Sequence, residues 1–457
     1  MRALALLCAV QFLLVLDVTI VGVALPAIRS DLGFGAGRLQ WVVSAYVLAF
    51  GGLLLLAGRL ADVLGRRRLF AAGIAVFTLG SLACGLAPSG AALIAARAFQ
   101  GAGAALATPA ALALVTTTFT DGPERTRALG IWTAAAPVGG AAGLLVGGVL
   151  TQSLGWPWVF LVNVPAGLAA LALTRRLLPA DEPARQPAPA RGLVARLDVP
   201  GALAGTAAVV ALVFALSRIE AGGFGDGRAL AALAAAVAAT TAFARRERRA
   251  RDPLLPPGTL GRRPLAAALL VSLMLTAATT PTLFFITLHL QERLGWTPTA
   301  TGLGYLPVVA AVMAGALLAP RLIAARGAAA VMACGLALIA AGVALLTGIS
   351  ARGGFAEAVL PGEALYGLGL GAGSVAATTL GTSALPAARQ GLASGLLNTA
   401  AQVGTALGLA VLVAIAAVPA AEIDGFRVAF AVDAVLAAVA AAAVVVCRRW
   451  RLLPARP

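Results

Sequence analysis

One carboxylate lies deep inside an apolar stretch near the beginning of this chain. Asp17 is the only charged residue between Ala3 and Ala27. A helix rises about 1.5 Å per residue, so this stretch is long enough to span the ~30 Å hydrocarbon core of a bilayer. An ionised carboxylate at that depth costs at least about 2.5 kcal/mol, and it needs a cation, a water-filled cavity or a proton. All three suit proton-coupled transport, and a structural polar contact within a helix bundle is the alternative.

A cation lies at a matching depth in a later apolar span. Arg97 and Gln100 are one helical turn apart, so they share a face. Counted from the two ends of their helices, Asp17 and Arg97 both come to lie about 10 Å below the outer surface of the bilayer. A charge pair in lipid is much less costly than either charge alone. The sequence therefore predicts an ion pair, direct or through water, in which Arg97 governs the protonation of Asp17.

The composition predicts the helices that would position these residues. The chain has 457 residues, of which 60% are hydrophobic and 11% charged, and this excludes an ordinary soluble domain. Fourteen apolar spans can be distinguished. The net charge of +16 comes from arginines in short runs between those spans, which is typical of orientation signals and predicts no nucleic-acid partner.

The distribution of the 34 basic residues predicts the orientation in the membrane. With fourteen spans and a cytoplasmic N-terminus, 26 arginines lie in or beside cytoplasmic loops and 7 lie outside. Positive residues concentrate on the cytoplasmic side of membrane proteins. Both termini are therefore predicted to be cytoplasmic.

A faint internal repeat predicts how the spans are grouped. The segment Gly58-Arg-Leu-Ala-Asp-Val-Leu-Gly65 ends the second span, and Pro320-Arg-Leu-Ile-Ala-Ala-Arg-Gly327 ends the tenth. Repeats of this kind are how secondary transporters build a site at the membrane midplane. We predict an all-α protein with a six-helix bundle over 1–177, a linker with two inserted transmembrane helices over 178–264, and a second six-helix bundle over 265–457.

The loop after the second span carries a motif. Its glycines permit close backbone approach, its aspartate can meet a helix N-terminus, and its arginines can contact anionic lipid. The residues concerned are Gly58, Asp62, Gly65, Arg66 and Arg67. This loop resembles the cytoplasmic signature loop of the major facilitator superfamily, and the resemblance implies a role in the conformational switch. The alternative is a loop that is basic only for orientation.

Other stretches resemble one branch of that superfamily, the fourteen-helix drug:proton antiporters that act as multidrug and antibiotic efflux permeases. They are Leu16 to Pro26, Gly155 to Pro165 and Gly391 to Gly404, whereas Arg97 to Gly103 resembles the fourth-helix motif of the superfamily as a whole. The resemblance implies a monomeric plasma-membrane protein that exports an amphipathic small molecule in exchange for protons by alternating access. It implies no cofactor, and the proton gradient is the energy source. A carrier of one metabolite and a transport-dead sensor or lipid-handling scaffold are the alternatives.

The fifth span carries glycines spaced for close helix packing. Gly139, Gly143 and Gly147 recur every four residues, and Gly148 adjoins them. The stretch resembles the superfamily's antiporter signature, with Leu144 in place of the signature proline. This difference leaves the mode of coupling open.

The remaining polar residues in the spans divide into two groups. Candidates for a substrate cavity are Gln100, Thr279, Asn398 and Gln402, with hydrogen bonds within or between helices as the alternative. Three others lie near the outer ends of their spans, where solvation at the interface explains them: Glu363, Asp433 and His289. No metal-ligand spacing and no nucleotide-binding motif is present, so we predict a transporter and not an enzyme.

Reporter fusions test the two inserted spans. We expect a reporter after residue 222 to lie outside the cell and one after residue 254 to lie inside, because one span separates the two positions. Alkaline phosphatase and fluorescent-protein activities read the two sides. Both reporters on the same side would contradict the inserted pair.

Overall fold

A computed structural model describes residues 1–119, 122–181, 199–222, 226–249, 259, 261–349, 354–386, 390–417 and 422–449. Every regular element in these ranges is helical. The predicted all-α class is therefore confirmed. The chain forms two compact units, one of residues 1–206, 241–254 and 296–303, the other of residues 207–240, 255–295 and 304–457.

Among the described residues, the first unit contains eight helices and parts of three more. The eight are α1 (Arg2–Leu32), α2 (Ala36–Leu39), α3 (Trp41–Leu64), α4 (Arg66–Gly85), α5 (Gly90–Thr118), α6 (Gly122–Ser153), α7 (Trp158–Leu161) and α8 (Asn163–Leu177). Helices α9 (Val199–Gly222) and α10 (Gly227–Arg249) belong partly to each unit, and most of α12 (Pro298–Gly304) belongs to the first. Within this unit α1 packs against α6, and α5 packs against α3 and α4.

The second unit is built from the later helices. They are α11 (Arg263–Leu288), α13 (Leu306–Arg326), α14 (Ala328–Leu346), α15 (Phe355–Ala358), α16 (Leu360–Ser383), α17 (Gln390–Ala416) and α18 (Glu422–Arg449). A π-helical turn, His289–Arg293, continues α11. Helix α16 packs against α13 and α14, and α11 packs against α17.

The described helices fit a membrane by length and hydropathy. Eleven segments are long and apolar enough to cross a bilayer, and shorter apolar segments occur in α6 (Val138–Ser153) and α9 (Pro200–Leu216). In the described ranges, fourteen helices are at least 15 residues long. The exact count of fourteen spans and the boundaries at 177 and 264 stay predictions.

Glycines let α6 lie directly on α1. A Cβ added at Gly139 would lie 2.6 Å from the Phe12 carbonyl oxygen, and one at Gly147 would lie 2.7 Å from the Ile20 carbonyl oxygen. At Gly143 the nearest backbone atom is the Leu16 carbonyl oxygen, at 2.6 Å. Small residues at such positions allow helix backbones to approach in a membrane. A fourth glycine, Gly148, faces a different segment, with its added Cβ 2.5 Å from the Pro298 carbonyl oxygen.

Helix α6 passes without interruption through the position of the missing signature proline. It runs from Gly122 to Ser153, and Leu144 is buried within it. Pro137, two turns before Leu144, predicts a bend in this helix, and its side chain lies outside the described residues.

Two glycines with positive φ mark equivalent places in the two units. Gly65 separates α3 from α4 with φ 96° and ψ 136°, and Gly327 separates α13 from α14 with φ 84° and ψ 153°. Residues with a Cβ rarely adopt these angles. The shared backbone conformation supports the weak sequence repeat, because each copy ends on a glycine that makes the same kind of turn.

Charged residues lie close together near the end of α9 and the beginning of α10. Asp226 accepts hydrogen bonds from the Arg228 backbone N–H, at 2.8 Å, and from Arg218 Nε, at 2.8 Å. The Arg228 N–H and the Arg218 side chain hold the pKa of Asp226 below its usual value. Asp226 and Arg218 therefore form a charged pair beyond the end of the apolar segment of α9, Pro200–Leu216.

Two neighbouring glycines test the contact of α6 with α1. Gly139→Ala places a methyl group against the Phe12 backbone, which cannot rotate away, so we expect a loss of about 1–3 kcal/mol of stability. Gly140→Ala is the control, since its Cβ would meet only side-chain atoms, at 3.8 Å and beyond. Melting temperatures in detergent measure both. Equal melting temperatures for the two variants would contradict the close contact.

Candidate functional site

An ion pair lies buried in the first unit. Asp17 of α1 and Arg97 of α5 are 0% and 1% exposed. Arg97 Nη1 donates to Asp17 Oδ2 over 2.8 Å. The structure thus brings together the two charges that the sequence placed at the same depth.

Two amide side chains complete the surroundings of the carboxylate. Asp17 Oδ1 accepts hydrogen bonds from Gln100 Nε2, at 2.7 Å, and from Asn163 Nδ2, at 2.6 Å. Both amides are fully buried. A deprotonated carboxylate is only an acceptor, and three donors from α5 and α8 converge on this one. The arrangement therefore suits ionised Asp17.

The guanidinium group of Arg97 is held on several sides. Its Nε donates to the Val42 carbonyl oxygen over 3.0 Å, and its Nη1 also donates to Gln100 Oε1 over 2.5 Å. Its Cζ lies 4.2 Å from the centre of the Tyr46 ring. A cation over an aromatic face is attracted by the ring's quadrupole. Helix α3 thus positions Arg97 through one carbonyl group and one ring.

Helix α4 supports Gln100 from behind. Gln100 Nε2 donates to Ser81 Oγ over 2.8 Å, and Ser81 Oγ donates to the Phe77 carbonyl oxygen over 2.9 Å. Cys84 Sγ lies 3.6 Å from Gln100 Oε1. These contacts orient the amide so that its nitrogen faces Asp17 and its oxygen faces Arg97. We refer to Asp17, Ser81, Arg97, Gln100 and Asn163 as the polar centre.

The chemistry of the polar centre follows from its burial. A buried ion pair is held together by the attraction between its two charges. Protonation of the acid removes one of those charges and so weakens its attraction to the arginine. Proton binding at Asp17 and separation from Arg97 therefore favour each other. Such a pair can link protonation to helix movement.

The signature loop is tied to the segment after α8. Asp181 accepts hydrogen bonds from the backbone N–H groups of Arg67, at 2.7 Å, and Arg68, at 3.0 Å. It therefore caps the first turn of α4, where unpaired N–H groups attract a carboxylate. Its side chain occupies the space that a Cβ at Gly65 would need.

Comparison with known proteins identifies the family. The family model described as Major Facilitator Superfamily matches residues 7–409 and 269–457. The chain belongs to the Major Facilitator Superfamily. The family predicted from the motifs is thereby confirmed.

Relatives within the superfamily are named for antibiotic export or resistance. The cephamycin export protein CmcT of Amycolatopsis lactamdurans is 44% identical over 419 residues, which cover 90% of this chain and 84% of that protein. The puromycin resistance protein pur8 of Streptomyces alboniger is 42% identical, covering 90% and 80%. The lincomycin resistance protein of Streptomyces lincolnensis is 36% identical, covering 93% and 87%.

Solved superfamily structures share the fold. A peptide transporter POT in complex with sulfate has a TM-score of 0.75 and covers 99% of this chain and 96% of its own, at 16% identity. This likeness confirms the membrane fold of the superfamily.

The predicted superfamily switch motif is described in part. In the part of the chain that the structure describes, no atom of another segment lies within 4 Å of the Gly58 Cβ position, and Gly65 makes the turn described above. The side chain of Asp62 lies outside the described residues. Arg66 and Arg67 begin α4, and Arg67 Nη1 also donates to the Leu178 carbonyl oxygen over 3.4 Å. The role of this motif in the transport cycle stays a prediction.

The four candidates for a substrate cavity occupy different surroundings. Gln100 belongs to the polar centre, and the Thr279 hydroxyl group donates to the Leu275 carbonyl oxygen of its own helix over 2.8 Å. Asn398 lines a cavity in the second unit. Gln402, one turn further along α17, is half-buried and outside the lining of that cavity. Among the described residues, the lining of that cavity therefore includes one of the four candidates, Asn398.

Three residues assigned to the membrane interface are instead enclosed by protein. Glu363, Asp433 and His289 are 0%, 2% and 1% exposed. Gly362 lets α16 approach the Gly342 carbonyl group of α14, which encloses the neighbouring Glu363 between helices. The Thr282 hydroxyl group lies 3.3 Å from Asp433 Oδ2. Within the described ranges, neither Glu363 nor His289 has a side-chain hydrogen bond. Interfacial solvation is therefore wrong for all three.

Several members of the site escaped the sequence reading. Asn163 belongs to the stretch from Gly155 to Pro165 that resembles superfamily members. Its position in that stretch was the one feature of the sequence that could have indicated a functional role. Neither Ser81 nor Asp181 could be predicted as a site residue. A single serine in an apolar span and a single acid in a proline-rich segment are both common without any functional role.

A double-mutant cycle tests the polar centre. Arg97→Gln leaves the buried carboxylate of Asp17 without its cation, and breaking such a pair costs about 3–5 kcal/mol. We expect a lowered melting temperature in detergent, and partial recovery when Asp17→Asn is added, because the double variant buries no unpaired charge. A double variant that melts below Arg97→Gln alone would show that the pair is not the dominant contact.

Proposed function

We propose that this protein exports amphipathic small molecules of the antibiotic type from the cell in exchange for protons. The observation that carries the proposal is the polar centre, in which a fully buried Asp17 is paired with Arg97 and satisfied on both oxygens. Relatives named for cephamycin export, puromycin resistance and lincomycin resistance support the substrate class.

The coupling follows from the two states available to Asp17. With the proton absent, Arg97, Gln100 and Asn163 hold the carboxylate and join α1 to α5 and α8. A proton on Asp17 weakens these contacts, so the helices are free to adopt a second arrangement. A ligand shifts such an equilibrium only through its different affinity for the two states. Protons and substrate that favour opposite arrangements would then move in opposite directions.

We further propose that the protein works as a monomer in the plasma membrane with both termini in the cytoplasm. In that orientation the signature loop and its capping residue Asp181 lie on the cytoplasmic side. We propose that this cap holds the start of α4 in one state of the cycle and is remade in the other, with Asp62 as a further member of the switch.

Flux in proteoliposomes tests the coupling. With a proton gradient directed out of the vesicles, we expect the wild-type protein to drive uptake of puromycin or lincomycin, and Asp17→Asn to reduce it to the level of empty liposomes. The amide mimics a permanently neutral acid, so proton movement no longer has a site. Asp31→Asn is the matched control, because Asp31 lies at the far end of the same helix, where it accepts a hydrogen bond from Trp156 Nε1 over 2.8 Å.

Arg97 offers a second arm of the same experiment. We expect Arg97→Lys to retain part of the gradient-driven flux, since a lysine keeps the charge but lacks the planar group that reaches both Asp17 and Val42. Undiminished flux in Asp17→Asn would place the coupling site elsewhere and overturn the proposed mechanism.

A further inference from the structure

A cavity of about 280 Å³ lies within the second unit, among α11, α16 and α17. Each of the three helices contributes two polar residues one turn apart. The pairs are Ser272 and Thr276 on α11, Ser374 and Thr378 on α16, and Ser394 and Asn398 on α17. Residues four apart lie on the same face of a helix, so six polar side chains face one space.

Most of these groups have hydrogen-bonding capacity to spare. The Thr276 hydroxyl group donates to the Ala401 carbonyl oxygen over 2.6 Å. Within the described ranges, the other five side chains make no hydrogen bond to protein, and Ser374, Thr378 and Asn398 are exposed. Other threonines nearby behave differently, because Thr279 and Thr379 each donate to their own helix, at 2.8 Å.

Unsatisfied polar groups are expensive in the apolar interior of a membrane protein unless water or a ligand reaches them. Threonine and serine in a membrane helix usually satisfy themselves on the preceding turn. Four serine and threonine side chains that do not, together with Asn398, face one space. They therefore indicate a water-filled binding cavity. Helix-to-helix hydrogen bonding would instead have paired them with each other.

The lining limits the kind of molecule that fits. The cavity has hydroxyl and amide groups beside the apolar side chains of Leu275, Leu397 and Ala401, and none of its lining residues is charged. A fixed positive charge would find no counter-ion there. A molecule with an apolar body and several hydroxyl, carbonyl or amide groups would satisfy both kinds of surface.

The cavity also lies on the side from which an exporter loads. Ser272 is nine residues from the start of α11, Thr378 is five residues from the end of α16, and Ser394 is four residues from the start of α17. These are distances of roughly 6–14 Å from helix ends that the arginine distribution places in the cytoplasm.

We propose that this cavity binds the uncharged, oxygen-rich part of the exported molecule as it enters from the cytoplasm. The proposal rests on the proposed function and deepens it, since it specifies neutral amphipaths with several hydrogen-bonding groups as substrates. Asn398 provides a donor and an acceptor, while Ser374 and Thr378 provide hydroxyl groups opposite it.

Equilibrium binding to the purified protein in detergent tests the cavity without requiring transport. Labelled chloramphenicol is the probe, because it is uncharged and carries two hydroxyl groups and an amide. Ethidium is the comparison, because it is a permanent cation without hydroxyl or carbonyl groups. The variants are Thr378→Val and Asn398→Leu, which keep the side-chain shape but remove hydrogen bonding. Thr379→Val is the matched control, one residue along α16, where the hydroxyl group already bonds the Val375 carbonyl oxygen.

We expect the Kd for chloramphenicol to rise about tenfold in Asn398→Leu and several-fold in Thr378→Val, and to stay at the wild-type value in Thr379→Val. We expect ethidium to bind the wild-type protein much more weakly than chloramphenicol does, and unchanged melting temperatures show that the three variants are folded. Failure of the wild-type protein to bind chloramphenicol, or wild-type affinity in both cavity variants, would overturn the proposal.

Efflux from energised cells separates this outcome from failure of the proposed function. Puromycin efflux that depends on the wild-type protein and is lost in Asp17→Asn supports proton-driven export even if the cavity variants bind chloramphenicol as the wild type does. Chloramphenicol binding that depends on Asn398, without energised efflux of either compound, supports the cavity and contradicts the export proposal.

Discussion

A charged group can remain in the interior of a membrane helix bundle only when other groups of the protein satisfy it, and this constraint organises the first unit. Asp17 alone would be unstable at its depth, and so would Arg97. Together they still need donors and acceptors for their remaining atoms, which α3, α4, α5 and α8 provide. One carboxylate therefore explains why polar side chains occur at particular turns of three other helices, α4, α5 and α8.

The polar centre also depends on how closely the helices approach. A Cβ added at Gly80 would lie 2.7 Å from Gln100 Cα, and one at Gly73 would lie 2.5 Å from the Ala107 backbone nitrogen. Helices α4 and α5 therefore touch along their backbones, and Ser81 reaches the Gln100 amide directly. Larger residues at these positions would push α4 away and leave that amide without its support. The hydrogen bonds of the charged pair therefore depend on the close helix packing that these small residues allow.

The sequence predicted features that depend on periodic geometry. Asp17 and Arg97 could be matched because the rise per residue and the bilayer thickness fix the depth of each along its helix. The packing glycines of α6 could be found because their spacing defines a face. The burial of Glu363, Asp433 and His289 could not be predicted, since depth does not tell which way a helix is rotated. Asn163 and Asp181 reach partners more than 100 residues away, and no local pattern encodes such contacts.

The two sets of polar residues differ in how far the protein itself satisfies them. In the polar centre, both oxygens of Asp17 already accept hydrogen bonds from the protein and the carboxylate is fully buried, which suits a change of state by proton binding more than direct contact with a ligand. In the cavity of the second unit, five polar side chains have no protein partner in the described ranges, and this suits a molecule that arrives and leaves. A buried group whose hydrogen-bond partners all belong to the protein suits switching between two conformations, whereas polar groups without protein partners suit substrate binding. In a coupled exporter the two tasks need different chemistry, because a group that binds its own protein tightly cannot also bind cargo that must be released.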